Sequence, residues 1–300
     1  MSIKYITYLN LNLIGATFTQ KTQNDTYDFI KVAPNSQKGR YVLVTGASKG
    51  IGAAIALSYA RAGAAGIAVV ARSNPSDIEE VLIAAAKEAG SEIPEFLNLK
   101  VDISSEESIQ DAATHVKEKW GKLDILINNA GYSSEWTQVL NGDSKDWWKT
   151  FEVNLNGIYL TSKIFLPLIL ASSEKTIVNV SSVGSLIVAP LGGSAYMVSK
   201  HAVNRFTEML LAEYAGQGLL AYAIHPGGVA TALGQQLPTP LRATLTSTPN
   251  LAGDTLTWLT RERRVWLAGR YISATWDMEE IESRKEEIIN GDKLKMRLVV

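Results

Sequence analysis

Tyr196 and Lys200 stand four residues apart in a stretch with helical periodicity, so a helix would place both side chains on one face. A free tyrosine has a pKa of about 10 and is a poor acid or base at neutral pH, but a nearby ammonium favours its phenolate. Such a phenol can give a proton to an alkoxide or remove one from an alcohol. The same spacing is common on surface helices, so the pair alone does not establish a site.

A glycine-rich stretch, T-G-A-S-K-G-I-G, occupies residues 45–52 between an apolar run and an alanine-rich run. Glycines between a strand and a helix allow a tight turn and let the backbone approach a diphosphate, while the helix N-terminus supplies amides. The spacing is GxxxGxG, and alone it also fits a plain glycine-rich turn. The residues predicted to bind a cofactor here are Gly46, Ser48, Lys49, Gly50, Ile51 and Gly52.

Strand-like and helical stretches that must position these residues alternate along the chain. The predicted strands are residues 41–45, 67–70, 96–101, 123–128, 176–180 and 219–224, and the predicted helices are residues 51–61, 75–89, 105–120, 144–170 and 195–214. Strands this apolar, separated by helices, are typical of a parallel sheet covered on both faces. The sequence therefore predicts one doubly wound α/β domain of Rossmann type, with about seven parallel strands.

Composition argues against several classes of binding partner and cofactor. Formal net charge is −1 and no long basic block occurs, which argues against nucleic acid or an anionic membrane as partner. The chain has no cysteine, which removes disulfides and thiolate chemistry, and its three histidines are scattered, so we expect no metal site. No clean leader peptide or bilayer-length apolar run is evident, so we expect a cytoplasmic protein.

Polar, turn-forming residues around positions 20–38 suggest where the folded domain begins. We predict an N-terminal extension at residues 1–39, a catalytic domain at 40–277 and a C-terminal tail at 278–300. No composition break within residues 40–277 marks a second domain.

Taken together, these motifs resemble the short-chain dehydrogenase/reductase family. Residues 45–52 resemble its TGxxxGxG turn, residues 128–131 its NNAG segment, and Tyr196 with Lys200 its YxxxK pair. Pro226-Gly227 with Thr231 resembles the segment that follows the sixth strand, and Asn154 matches an active-site asparagine on the long fourth crossover helix. The resemblance spans about residues 40–277, and these motifs occur in the family's order.

The resemblance implies a catalytic set of Ser182, Tyr196, Lys200 and Asn154. Ser182 would hydrogen-bond the substrate oxygen, and Lys200 would lower the Tyr196 pKa and bind the nicotinamide ribose. Asn154 would hold a water that links Lys200 to solvent. Ser182 lies one residue further from Tyr196 than in the commonest family spacing, so Ser181 stays an alternative. Either serine could instead cap backbone groups at a strand end.

The end of the second predicted strand decides the cofactor, because an acid there holds a ribose 2′-hydroxyl. Residues 71–73 are Ala-Arg-Ser, and Arg72 offers a charged fork suited to phosphate. With Lys49 in the glycine turn, this favours NADP(H), although both could be merely solvated side chains. The resemblance adds as cofactor-binding residues Asp102, Ile103, Asn129, Ala130, Gly131, Tyr196, Lys200, Pro226, Gly227, Val229 and Thr231. Asp102 could alternatively cap the next helix, as could Ser104 or Ser105.

Residues 228–249, rich in proline and leucine, are predicted to form an apolar substrate loop, although such a segment could also be helix core. Ser133, Trp136, Leu186 and Val188 could complete the wall of a hydrophobic pocket. The two chain ends resemble a subgroup of filamentous fungi, many of whose members reduce ketones in specialised metabolism. The family also implies a homodimer or homotetramer built on the helices at residues 144–170 and 195–214.

The leading hypothesis is an oxidoreductase that transfers a hydride between NADP(H) and the carbonyl or alcohol carbon of a hydrophobic small molecule. A second hypothesis is a repurposed member that catalyses isomerisation, cyclisation or dehydration without net redox change. A third is a regulatory protein that binds the cofactor without turnover. The intact set of four catalytic residues argues against the third.

Overall fold

The computed structural model describes residues 14–73, 78–188 and 190–298. Its centre is a seven-stranded sheet in the order β3-β2-β1-β4-β5-β6-β7, and every pairing is parallel. The strands are β1 Tyr41–Thr45, β2 Gly66–Ala71, β3 Glu95–Lys100, β4 Ile125–Asn128, β5 Thr176–Val180, β6 Leu220–His225 and β7 Tyr271–Ser273. This confirms the predicted doubly wound α/β class.

Helices cover both faces of this sheet. They are α1 Gly50–Arg61, α2 Glu79–Glu88, α3 Glu106–Trp120, α4 Ser144–Phe151, α5 Gly157–Leu170, α6 Ser194–Tyr214, α7 Thr239–Arg242, α8 Pro249–Thr260, α9 Met278–Ser283 and α10 Lys285–Asn290. Two apolar clusters form the core, one on each face, and β2, β4 and β5 are buried along their whole length. Burial on both faces explains why these strands are continuously apolar rather than alternating.

The predicted elements agree with the structure except near their ends. The predicted helix at residues 75–89 appears as α2, and positions 75–77 lie outside the described residues. The predicted helix at 144–170 is interrupted by a π-helical turn, Glu152–Asn156. Single π turns inside α-helices often mark functional sites, because they redirect side chains.

The combined helix Ser144–Leu170 is the one helix of the described chain that is long and apolar enough to cross a membrane by length and composition. More than half of its most apolar stretch, 56%, is buried within the protein. Leu160, Phe165 and Ile169 pack into the core on one face of the sheet. Its hydrophobicity is therefore that of a core helix.

Strand order reverses between β1 and β4, which lie side by side although β2 and β3 intervene in sequence. Open parallel sheets bind ligands in the crevice outside the carboxyl ends of their strands at such a switch point. Here β1 is followed by the glycine turn and β4 by Asn129. The topology thus brings separate sequence motifs to one edge of the sheet.

The described part of the N-terminal segment, residues 14–39, packs on the domain from the end of β7 across α8 to the end of α1. Thr22 forms an antiparallel bridge with Trp276, Ile30 is 1% exposed, and Gln37 donates its side-chain amide to the Thr257 carbonyl at 3.0 Å. At the other chain end, Arg270 hydrogen-bonds the carbonyl of Lys293. The division into extension, domain and tail stays a prediction.

Candidate active site

The glycine turn after β1 is shaped by close backbone approaches. Gly46 and Gly50 have φ angles of 67° and 60°, which favour glycine. A Cβ on Gly52 would lie 2.3 Å from the Gly46 carbonyl oxygen. Lys49 occupies the N-cap of α1, and an ammonium cannot accept hydrogen bonds from the first helix amides. A helix N-terminus without a side-chain cap, beside a glycine-rich turn, fits a dinucleotide diphosphate.

The NNAG segment supports this turn from the neighbouring strand. The Thr45 hydroxyl accepts hydrogen bonds from the backbone amides of Asn129 and Ala130 at 2.9 and 3.0 Å. The Asn129 side chain donates to the Thr45 carbonyl at 2.8 Å. A Cβ on Gly46 would lie 2.9 Å from the Ala130 Cα. Asn129 and Ala130 therefore hold the shape of the turn, and Asn129 has its side chain engaged there.

Arg72 follows β2 at the same edge of the sheet and is exposed. Hydrogen bonds from the Ser104 hydroxyl and amide, at 2.6 and 2.9 Å, hold the pKa of Asp102 below its usual value, and the Arg72 charge adds to this. Ser105, not Asp102, caps α3, because its hydroxyl accepts from the Ser108 amide at 3.2 Å. The capping alternative for Asp102 is wrong.

Ile103 lies next to Asp102, but its side chain turns inward. It is 7% exposed, and a Cβ on Gly157 of α5 would lie 2.9 Å from its Cδ1. The glycine at the start of α5 thus permits close packing of that helix on the loop after β3. Any contact of Ile103 with a cofactor would use its backbone.

Asn154 lies within the π turn and is wholly buried. Its side-chain oxygen accepts from the Tyr132 amide, and its side-chain nitrogen donates to the Tyr132 carbonyl, both at 2.8 Å. A further bond at 3.1 Å reaches the Ser199 hydroxyl on α6. A Cβ on Gly131 would lie 3.5 Å from Asn154 Oδ1 and 3.8 Å from Lys200 Nζ. Asn154 therefore ties the loop after β4 to the helix that carries the catalytic pair, and its role in holding a water stays a prediction.

Tyr196 and Lys200 lie in the first turns of α6, as their spacing predicts. Lys200 is 3% exposed, and its Nζ donates to the Val180 carbonyl at 2.7 Å and lies 5.8 Å from the Tyr196 ring centroid. Burial lowers the pKa of Lys200 to about 8. Burial also raises the pKa of Tyr196, partly offset by its hydrogen bond with Ser182.

The net shift of the Tyr196 pKa in the protein alone is therefore upward, opposite to the lowering expected from Lys200, because desolvation outweighs the hydrogen bond with Ser182. The phenol stays protonated near neutral pH, which suits a proton donor. The added positive charge of an oxidised nicotinamide would favour the phenolate for the reverse reaction.

The two candidate serines after β5 point to different partners. Ser182 hydrogen-bonds Tyr196, and its Oγ also accepts from the Gly184 amide at 3.0 Å. Ser181 is 2% exposed and donates to the Lys200 carbonyl at 3.2 Å. Geometry thus places Ser182 beside the phenol, while Ser181 fastens the strand end to α6.

The segment after β6 reaches back to the glycine turn. Gly227 has a φ of 93°, and a Cβ there would lie 2.8 Å from the Ser247 hydroxyl. Val229 bridges to Ser247 and is 6% exposed. The Thr231 methyl would lie 3.1 Å from a Cβ on Gly50. The Pro-Gly…Thr segment and the glycine turn therefore face each other across the crevice.

Trp136, one of the predicted wall residues, lies near the candidate catalytic pair. Its ring centroid lies 6.4 Å from that of Tyr196, and its indole nitrogen donates to the Ser133 hydroxyl at 3.1 Å. Ser133 is 6% exposed, Leu186 packs partly into the core, and Val188 is 88% exposed. Trp136 thus lies beside the Tyr196 ring with Ser133 bonded to its indole, whereas Val188 lies on the surface.

Two supporting residues were not identified from the sequence. Thr45 orders the NNAG segment through its hydroxyl, and Ser199 links Asn154 to α6 by donating to the Tyr196 carbonyl at 2.8 Å. Thr45 is the first residue of the glycine motif and Ser199 directly precedes Lys200, so their positions next to recognised motifs could have identified both as candidates. Neither hydrogen bond follows from spacing alone.

Replacing Lys200 with Met is expected to raise the free energy of unfolding of the cofactor-free protein at about pH 7. The folded pKa of about 8 is below the unfolded value of 10.5, so the buried ammonium is disfavoured at neutral pH. The shift corresponds to about 3 kcal/mol, less the lost hydrogen bond to Val180. Urea unfolding of both proteins measures the difference.

The size of this effect changes predictably with pH. Between the two pKa values the unfolded chain binds more protons, so wild-type stability rises with pH through that window and the Met variant's advantage shrinks. Changing the exposed Lys87 of α2 to Met is the control for loss of one surface lysine, and its free energy of unfolding should stay within about 0.5 kcal/mol of wild type. An advantage of Lys200→Met that is the same at about pH 7 and pH 10 would contradict this account.

Comparison with known proteins agrees with this arrangement. The sequence profile described as short chain dehydrogenase matches residues 40–241, more than half of the chain. Short chain dehydrogenase mpl6 of Monascus purpureus is 49% identical over 95% of this chain and 98% of its own length. Short chain dehydrogenase andI of Emericella variicolor is 43% identical over 94% and 97%.

Solved structures show the same fold. The short chain dehydrogenase from Shigella flexneri superposes with a TM-score of 0.70 and 26% identity, covering 83% of this chain and 96% of its own. A Shigella flexneri protein of this type in complex with NADP gives a TM-score of 0.69 and 27% identity, covering 80% and 98%. With its parallel sheet, glycine turn and paired Tyr196 and Lys200, the chain belongs to the short-chain dehydrogenase family.

Proposed function

We propose that this protein is an NADP(H)-dependent ketoreductase that acts on a hydrophobic small molecule of specialised metabolism. The observation that carries the proposal is the convergence of Ser182, Tyr196 and Lys200 at the carboxyl edge of the sheet, beside the glycine turn. Relatives from Monascus and Emericella support the fungal context that the chain ends suggested. We place the reaction in the cytosol and in one catalytic domain, residues 40–277.

The catalytic residues divide the work of carbonyl reduction. NADP(H), when bound, supplies or accepts the hydride. Ser182 donates a hydrogen bond to the substrate oxygen, where negative charge develops, and Tyr196 Oη delivers a proton to the same oxygen. Lys200, held by Val180, places its ammonium beside the phenol and would bind the nicotinamide ribose. Asn154 fixes the position of α6 relative to the loop after β4 through its hydrogen bonds to both.

The preference for NADP(H) rests on charge at the end of β2. Arg72 is exposed at the crevice, and no acidic residue occupies residues 71–73. Lys49 lies in the turn of the adjacent strand β1. Two cations in this corner suit a 2′-phosphate, and Arg can bind it through two parallel hydrogen bonds. Structural neighbours crystallised with NADP and NADPH support this assignment.

Exposed apolar side chains support assembly through the long helices. Trp148 and Tyr159, on α4 and α5, are 58% and 46% exposed, and Val198 and Met209 on α6 are 52% and 46% exposed. A two-fold axis across these helices would bury them. We propose a homodimer or homotetramer, which light scattering on the purified protein would measure.

A ketone panel tests the function directly. Purified protein is incubated with NADPH and a graded series of aliphatic, cyclic and aromatic ketones, and loss of the NADPH absorbance is matched to alcohol product by mass spectrometry. The proposal expects stoichiometric alcohol and NADP⁺, lost in Tyr196→Phe. Substrate conversion with only catalytic cofactor and no net NADPH loss would instead indicate a redox-neutral reaction, and cofactor binding without any conversion a regulatory role.

A further inference from the structure

Part of the N-terminal segment, residues 22–27 and here called the clasp, holds the far end of the loop that follows β6. The Thr248 amide donates to the Asn24 carbonyl at 2.8 Å, and the Thr248 hydroxyl donates to the Asp25 carboxylate at 2.5 Å. The Thr246 hydroxyl reaches the Asn24 side-chain oxygen at 3.3 Å. The clasp therefore bonds on both sides of Ser247.

Ser247 is the residue on which the segment after β6 rests. Its amide donates to the Gly228 carbonyl at 2.8 Å, and it bridges to Val229. Gly227 approaches its hydroxyl so closely that a Cβ would lie at 2.8 Å. Any shift of residues 246–248 would move Gly227 to Val229, a stretch in which the family resemblance predicts cofactor-binding residues.

The clasp is itself fixed to the rigid part of the domain. The Thr26 hydroxyl donates to Asp254 Oδ2 at 2.5 Å, and the Ser58 hydroxyl of α1 donates to Asp254 Oδ1 at 2.6 Å. Asp254 lies on α8 and is 4% exposed. Through this carboxylate the clasp is joined to α1, the helix whose N-terminus faces the glycine turn.

We propose that Asp25 is a positioning residue for the active site, which fixes the end of loop 228–248 so that its cofactor-facing residues are preorganised. This rests on the proposed function for the role of the loop. The Asp25 carboxylate accepts from both the Thr248 hydroxyl and the Thr26 amide, at 2.5 and 2.8 Å, so one charged group joins loop and clasp. Hydrogen bonds to a charged acceptor are the stronger class. Thr248 directly precedes α8, so the bond also sets where that helix begins.

Four variants isolate this bond. Asp25→Ala and Thr248→Val each remove one partner, while Asp25→Asn and Thr248→Ser keep an acceptor and a donor. Asp28→Ala is the matched charge control, because Asp28 lies in the same exposed stretch and no other described residue hydrogen-bonds its carboxylate. Trypsin cleavage after Arg242, an exposed residue of α7 within the loop, is followed by mass spectrometry with and without NADPH.

Asp25→Ala and Thr248→Val are expected to speed cleavage after Arg242 by about fivefold and to weaken NADPH binding about three- to tenfold, with kcat changed less than about twofold. Thr248→Ser and Asp28→Ala should behave like wild type, and Asp25→Asn, which keeps an acceptor but loses the charge, should fall between wild type and Asp25→Ala. Cleavage and binding need no turnover, so they test the clasp even if no ketone is reduced.

Three results would overturn the inference. One is wild-type cleavage and binding in Asp25→Ala. Another is an equal change in Asp28→Ala, which would indicate net charge rather than the bond. The third is faster cleavage with unchanged NADPH affinity and KM, which would show that the loop end is anchored without positioning the site. A lower melting temperature without a change in NADPH affinity would also overturn the inference, because it would show a purely structural role.

Discussion

Tyr196→Phe is expected to lower the kcat of carbonyl reduction by about 10²- to 10⁴-fold, the contribution usual for a positioned proton donor. The variant keeps the ring that lies 6.4 Å from Trp136 and 5.8 Å from Lys200 Nζ, so packing is preserved and only the hydroxyl is lost. Ser182 then loses its hydrogen bond with the phenol, keeps the one from the Gly184 amide, and can still donate to the substrate oxygen. NADPH binding should change little, because the diphosphate turn lies on other elements.

Calorimetry and steady-state kinetics separate these effects. Tyr214→Phe, at the opposite end of α6, is the matched control and should retain wild-type kcat. If Tyr196→Phe kept more than about a tenth of wild-type kcat while binding NADPH normally, another group would have to supply the proton. Burial raises the pKa of Tyr196, so the donor form persists above neutral pH in the cofactor-free protein.

Arg72→Ala is expected to weaken NADPH binding by about 10- to 100-fold and to leave NADH binding unchanged. A charge-assisted hydrogen bond contributes about 1.5–3 kcal/mol, and each 1.4 kcal/mol is about tenfold in affinity. NADH has no 2′-phosphate, so its dissociation constant should not change when the Arg72 guanidinium is removed. The dissociation constants of both cofactors, measured by calorimetry on wild type and variant, give the ratio directly.

Lys87→Ala is the matched charge control for this comparison. α2 runs from the carboxyl end of β2 to the amino end of β3, so Lys87 in its last turn lies at the opposite edge of the sheet. Its removal changes net charge equally and should leave both affinities as in wild type. Equal loss of NADPH and NADH affinity in Arg72→Ala would contradict the assignment of the phosphate site, as would a preference of the wild type for NADH. Lys49 would then be the next residue to test.

The fold and the position of the site could be predicted from local signals. Continuously apolar strands such as 66–71 and 125–128 can be buried only between two helical layers, which requires a parallel sheet. In a parallel sheet all carboxyl ends share one edge, so motifs that follow different strands must meet there. The sequence therefore predicted that four motifs lie close together, although it gave no distances between them. They are the glycine turn, Asn129, Ser182 and the Pro-Gly segment.

The choice between Ser181 and Ser182 needed coordinates. Adjacent side chains at a strand end point to opposite faces, so a shift of one residue exchanges their partners. Spacing in sequence could not fix which serine meets the phenol. The pKa of Tyr196 also depended on burial, which opposed the effect expected from Lys200.

The sequence by itself determined the sheet class and predicted the edge of the sheet that carries the site and the candidate pair Tyr196 and Lys200, because each follows from short-range periodicity or from motif order. Only the tertiary structure decided the contacts between distant segments. The Asp25 to Thr248 bond joins positions 223 residues apart, and the Asn154 side chain joins the loop after β4 to α6. Such pairs cannot be recognised from periodicity in the sequence, because they form only when packing of the whole chain brings the two partners within hydrogen-bond distance.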